Sequence, residues 1–88
     1  MFRLWGKLIK ENHLLKDTVI CIEEKDTRTH KVLHALEEIC NQFALGNPIW
    51  LEKNISDFQR FAKVRFYQDN FISEIDFDYL EIHVIEED

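Results

Sequence analysis

Glycine and proline are scarce in this chain of 88 residues, which contains two Gly and one Pro. That scarcity excludes collagen-like repeats, flexible linkers and a Gly-rich loop that cradles phosphate. The length excludes a multi-domain enzyme, a Rossmann domain or a TIM barrel. Hydrophobic residues make up 45% of the chain and aromatic residues 12%, too much for a disordered protein. We therefore treat residues 1–88 as one folded domain.

The last quarter of the chain lacks Lys and Arg. Residues 1–65 hold all eleven basic and nine of the acidic residues, a net charge of +2, whereas residues 66–88 hold eight acids and carry −8. The whole chain carries −6. An acidic protein with an acidic end is poorly suited to bind nucleic acid or an anionic membrane through its net field. We predict that nucleic acid is an unlikely partner and that the protein does not bind membranes.

Long apolar runs are also missing. Arg3, Lys7 and Lys10 interrupt the N-terminal segment, so no signal peptide is indicated, and no stretch approaches the 18 residues of a membrane span. We expect a cytoplasmic protein. Cys21 and Cys40 are then reduced thiols, each expected to be buried as a small hydrophobic residue.

Apolar residues alternate with polar ones in residues 2–10, which predicts a strand. A polar break at residues 11–13 has the length of a hairpin turn, and the β-branched residues of 14–22 favour a second strand. Either face of that second strand can point inward.

The clearest helix covers residues 28–44, where six apolar residues recur at helical spacing. Asp26 or Thr27 can cap its start, and Gly46 is expected at the left-handed position that ends it. The predicted stripe consists of Val32, Leu33, Leu36, Ile39, Cys40 and Phe43.

A second, short helix is predicted over residues 55–62, a short strand over 63–66 and a turn over 67–70. Residues from Tyr79 onward alternate again as a final strand. The order is β-β-α-α-β-β. We predict an α+β fold of two layers, in which an antiparallel sheet packs on one long and one short helix.

The first and last strands each divide into two faces. The sets expected to face the helices are Phe2, Leu4, Leu8 and Leu80, Ile82, Val84. The sets expected on the other face are Arg3, Trp5, Lys7, Ile9 and Tyr79, Glu81, His83, Ile85. If these strands are neighbours, Glu81 can pair with Arg3 or Lys7, so an acidic C-terminal strand would lie against a basic N-terminal one.

Large apolar groups interleaved with charge on this far face are typical of an interaction surface. We therefore predict a non-enzymatic domain that binds a protein partner, or a second copy of itself, through that face. The alternative is that Trp50 and the loop 67–75 wrap round and cover it.

A second hypothesis assigns Arg3, Trp5 and Lys7 to nucleic-acid or small-ligand binding, because basic and aromatic residues on a sheet face can stack single-stranded bases.

A third hypothesis assigns a metal site to His30, His34 and Glu37, which with Asn41 share one polar strip of the long helix. Two histidines also occur by chance on a solvated helix face, and the His-Glu-x-x-His pattern is absent. The acids from Asp69 to Asp78 do not fit the calcium-loop pattern.

No motif for catalysis is present: the chain has no nucleophile elbow, phosphate loop or dinucleotide fingerprint. We expect no enzymatic activity, no cofactor and no catalytic residue.

Several segments resemble a group of small bacterial proteins to which no activity, cofactor or site residue is attached. The resemblance rests on residues 26–31, 48–50, 68–71 and 77–88, and it runs the full length of the chain. It implies a stand-alone bacterial cytoplasmic protein rather than a fragment.

Overall fold

The computed structural model describes residues 1–87 and shows the predicted α+β order, β-β-α-α-β-β. The strands are β1 (Phe2–Lys10), β2 (His13–Ile22), β3 (Lys63–Phe66) and β4 (Tyr79–Glu86). The helices are α1 (Arg28–Phe43) and α2 (Glu52–Phe61), with a short 3₁₀ helix at Gln68–Asn70. One face of the sheet packs on the helices, and the other is called the outer face below.

The four strands form one antiparallel sheet in the order β2-β1-β4-β3. A tight turn joins β1 to β2, and both of its central residues, Glu11 and Asn12, have positive φ values of 50° and 65°. Turns of this kind match the twist of the strands they connect. The predicted neighbours β1 and β4 do pair, so the acidic end of the chain lies against the basic strand at its start.

Helix α1 begins as predicted and ends earlier than predicted. The Thr27 hydroxyl accepts a hydrogen bond from the His30 N–H at 3.2 Å. At the other end Ala44, not Gly46, takes the left-handed conformation (φ 58°), and the Leu45 N–H donates to the Cys40 carbonyl. Stopping there lets Leu45 pack against the core, the apolar contact that often accompanies such an ending.

The core lies between the helices and the inner face of the sheet, and the inward sets predicted for β1 and β4 are all buried. The predicted stripe of α1 is wrong at one position: Leu33 is 46% exposed, whereas Ala35 is fully buried. A small residue is needed at the centre of the helix face because α1 lies close to the sheet. The close approach is seen at Gly6, where an added Cβ would lie 2.7 Å from Ile39 Cγ2.

The two cysteines differ in burial. Cys40 is fully buried, as predicted, but Cys21 is exposed. Ile20 and Ile22 take the inward positions of β2, so the alternation places Cys21 on the outer face of a strand at the edge of the sheet.

Helix α2 starts three residues before the predicted residue 55. The cause is Asn54, whose side-chain oxygen accepts from the Leu51 N–H at 2.9 Å and so satisfies a free donor at the helix start. The short strand over residues 63–66 is confirmed. Within residues 1–87, neither helix is long and apolar enough to cross a membrane.

Candidate interaction surface: the outer face of the sheet

The strand register assembles the outer face from side chains that are far apart in the sequence. Cross-strand partners share a face, so the pairings align two rows across all four strands. One row runs Val19, Trp5, His83, Lys63 and the other runs Asp17, Lys7, Glu81, Arg65. The cross-strand pairings of Trp5, Lys7, Ile9, Tyr79, Glu81 and His83 agree with the face predicted for them.

The second row, which we call the charged row, alternates in sign across the sheet. Lys7 Nζ lies 2.8 Å from one carboxylate oxygen of Glu81, and Arg65 Nε lies 2.9 Å from the other. Asp17 at the far end accepts a hydrogen bond from Trp5 Nε1 at 3.0 Å. The row therefore reads minus, plus, minus, plus from β2 to β3.

Glu81 is the most enclosed member of the charged row, with a side chain only 8% exposed. Burial by itself raises the pKa of this carboxyl group, but the hydrogen bonds from Lys7 and Arg65 outweigh burial and hold the pKa below its ordinary value. The hydrogen bond between Arg65 and Glu81 also raises the pKa of Arg65. Glu81 is thus a charged anchor between two strands.

Of the two partners predicted for Glu81, Arg3 or Lys7, the structure shows Lys7. Arg3 pairs instead with Glu86, at 3.0 Å, because a register shift between Arg3 and Leu4 aligns Arg3 with Glu86. The second partner, Arg65, belongs to the short strand β3, and nothing in the sequence indicates which strand β3 pairs with.

Aromatic rings flank the charged row on both sides. The Lys7 ammonium lies 4.0 Å from the centroid of the Trp5 ring, and the Arg65 guanidinium lies 4.6 Å from that of Tyr79. Tyr67 packs against Tyr79 with centroids 5.4 Å apart. These contacts hold the rings in fixed positions at the surface.

Apolar area on this face extends further than β1 and β4. Trp5, Ile9 and Tyr79 are half-buried, while Ile85 is 45% exposed. Strand β2 adds exposed apolar side chains that the sequence analysis left unassigned: Leu14, Leu15 and Val19. A register shift between Leu8 and Ile9 breaks the alternation of β2, which is why its sequence did not reveal an inner and an outer side.

The alternative in which Trp50 and the loop 67–75 cover the outer face is wrong for Trp50, whereas Tyr67 from that loop does pack against Tyr79 on this face. Trp50 packs edge-on against Phe58 and Phe66, on the core side of the sheet. From the following loop and its end, Phe71 and Phe77 are buried in the same core. These large rings fill the space beside β3 and α2, since protein cores are closely packed and leave few voids.

The helix histidines are not assembled into a metal site. His30 and His34 lie on α1 as predicted, but His30 Nδ1 is 2.9 Å from Asp26 Oδ1. That hydrogen bond lowers the pKa of Asp26. In residues 1–87 there is no group of three or more His, Cys, Asp or Glu side chains placed to hold a metal ion, so the geometry does not support a role for His30, His34 and Glu37 as ligands.

The basic residues proposed for nucleic-acid binding each have an acidic neighbour. Arg3 pairs with Glu86 and Lys7 with Glu81, and Trp5 is tied to Asp17. Binding to a phosphate backbone needs Lys or Arg side chains that are free to neutralise phosphates. On this face Arg3, Lys7 and Arg65 already have carboxylate partners within the chain.

Comparisons with protein-family models, with curated proteins and with solved structures find no match for this chain. The resemblance to small bacterial proteins therefore stays a prediction, and function rests on the geometry of the outer face.

Proposed function

We propose that this protein acts as a binding domain, and that its outer face is the surface that contacts a protein partner. The observation that supports the proposal is the outer face itself, which places half-buried Trp5, Ile9 and Tyr79 beside a neutralised charged row. Interface centres combine aromatic anchors with few unpaired charges.

Rigidity adds to the argument. Trp5 is fixed by its hydrogen bond to Asp17 and by the Lys7 ammonium above its ring. Tyr79 is fixed between Arg65 and Tyr67. Aromatic side chains that are already ordered lose little conformational entropy when a partner binds.

Site-specific photo-crosslinking tests the proposal. A photoreactive residue replaces Ile85, which is 45% exposed on the outer face, or Ile72, which is 91% exposed in the loop before β4. In the source cells, we expect a discrete protein adduct from position 85 and none from position 72. Adducts from both positions, or from neither, would contradict the proposal.

The variant expected to lose partner binding is Trp5→Ala, made in the protein that carries the photoreactive residue at position 85. We expect the affinity for the crosslinked partner to fall about thirtyfold or more, because Trp is a frequent hot-spot residue. Ile72→Ala is the control and leaves the affinity unchanged. Circular dichroism of each variant separates loss of binding from loss of folding.

A further inference from the structure

The order of charges in the charged row carries an inference about the partner, and it rests on the proposed function of the outer face. Asp17, Lys7, Glu81 and Arg65 lie on four successive strands. If a second copy of the row is rotated by half a turn and laid on the first, each charge lies opposite a charge of the other sign. The two-fold axis that does this runs parallel to the strands, between the two stacked sheets and above the line that separates β1 from β4.

We propose that the partner is a second copy of this chain, stacked on the first through the outer face about that axis. Asp17 of each copy then lies over Arg65 of the other, and Lys7 of each lies over Glu81 of the other. Closed two-fold contacts of this kind use the same surface on both copies. Sheets that stack face to face keep their strands within about 30° of each other.

Exposure identifies the pair that holds the two copies together. The Lys7 and Glu81 side chains are largely enclosed and pair with each other. The Arg65 side chain also pairs with Glu81, but it is 50% exposed and so can reach a second copy. Asp17 and Arg65 occupy the two edge strands, β2 and β3. We infer that these end residues supply the contacts between copies, while Trp5 lies near the centre.

The size of the face sets the expected strength. Four strands span about 19 Å and seven residues of β1 about 20 Å, a plan area of about 400 Å² on each copy. Both copies together bury about 800 Å² before the extra area of projecting side chains is added, which is below the roughly 1,200 Å² of standard interfaces and in the range of weak, transient contacts. We therefore expect a weak dimer, with a dissociation constant on the order of 100 μM.

Analytical ultracentrifugation of the full chain between 5 μM and 1 mM tests the inference. We expect wild-type protein to pass from monomer to dimer over this range, and Asp17→Arg or Arg65→Glu each to weaken dimerisation at least tenfold. The double variant restores opposite signs between copies and should dimerise at least threefold more strongly than either single variant, although it stays weaker than wild type because the bonds from Arg65 to Glu81 and from Trp5 to Asp17 are lost. An equimolar mixture of the two single variants should recover in the same way.

Lys16→Glu is the matched control, since Lys16 neighbours Asp17 on β2 but is the cross-strand partner of inward-facing Leu8. We expect no change in dimerisation. An equal loss in this variant would place the contact elsewhere on β2 and overturn the two-fold stacking. A double variant no better than either single variant would also overturn it, and thermal melts at 5 μM establish that each variant is folded.

The experiment separates failure of this inference from failure of the proposed function. Wild-type protein that is monomeric at 1 mM overturns the dimer. If position 85 then still crosslinks to a different protein, the outer face remains a binding surface. If no adduct forms either, both proposals fall.

Discussion

Glu81 is buried although the alternation of β4 places it on the outer face of the sheet. It belongs to the outer set of β4, yet its side chain is 8% exposed because Lys7 and Arg65 close over it from the two neighbouring strands. Three strands therefore meet at one carboxylate. Losing that charge leaves both cations without their nearest counter-charge.

Glu81→Gln is expected to lower the free energy of unfolding at pH 7 by about 1–2 kcal/mol, less than for a deeply buried pair because Arg65 is half exposed. The wild-type pKa is lowered in the folded state, so the unfolded chain binds the proton first as the pH falls. Stability from this group is thus present above the ordinary pKa of 4.5 and is lost below it.

Urea unfolding at pH 7 and at pH 3 measures both effects. We expect the difference between wild type and Glu81→Gln to shrink at the lower pH. Glu37→Gln, on the exposed side of α1, is the control and should change stability by less than about 0.5 kcal/mol. A difference that stays constant with pH would contradict the role given to the Glu81 charge.

Among the elements, the contact between β1 and α1 determines how closely the helix layer approaches the sheet. Gly6 is the inward residue at the centre of β1, and Ile39, fully buried, lies directly over it. The helix can come this close because no Cβ lies between the two. Glycine is used here for its size, since its φ is not positive.

Gly6→Ala is expected to lower the free energy of unfolding by about 1–3 kcal/mol, the range for overpacking a filled core. The added Cβ would lie 2.7 Å from Cγ2 of Ile39, a branched side chain that is fully buried. Thermal or urea unfolding measures the loss. Gly46→Ala is the matched control, because a Cβ at Gly46 meets nothing within 4 Å, and an equal loss there would show that packing is not the cause.

A second junction between elements depends on two buried amides. Asn70 donates to the Ile49 carbonyl at 2.8 Å and to the Asn54 side-chain oxygen at 2.7 Å. The Asn70 side-chain oxygen accepts from the Tyr67 N–H at 3.0 Å. These bonds tie α2 to the 3₁₀ helix after β3, and sequence reasoning missed them because Asn reads as an ordinary turn residue.

At the scale of the whole molecule, Cys40 reports on global unfolding. Cys40 lies on the buried side of α1 and is fully buried, and burial raises the pKa of its thiol to about 11, so reagents cannot reach it and little of it is thiolate. Cys21 is exposed. Both thiols are free.

We expect a thiol reagent to label one cysteine of native protein rapidly and the second only as fast as the molecule unfolds. Mass spectrometry at timed intervals resolves the two steps. Cys21→Ser should abolish the rapid step and leave the slow one unchanged. Two rapid labelling steps would show that Cys40 opens to solvent without global unfolding.

Much of the fold was predictable because periodicity is local. Alternation gave β1 and β4 with their inner and outer sides, and helical spacing gave α1, in error at Leu33. Local signals located the start of α1 after Thr27 but not the end of α1 or the start of α2, which depend on what packs nearby. Leu45 and Asn54 set those ends through contacts that propensity does not contain.

The order of residues alone was enough to predict the fold class, the face on which Trp5, Lys7, Tyr79 and Glu81 lie, and the attraction between a basic first strand and an acidic last one. Tertiary contacts were needed to show that β3 flanks β4, that Arg65 completes the charged row, and that Trp50 turns inward. The two groups differ in the range of the interactions that produce them. Alternation is a property of neighbouring residues, whereas register, closure over Glu81 and cover of a surface depend on residues brought together from distant parts of the chain.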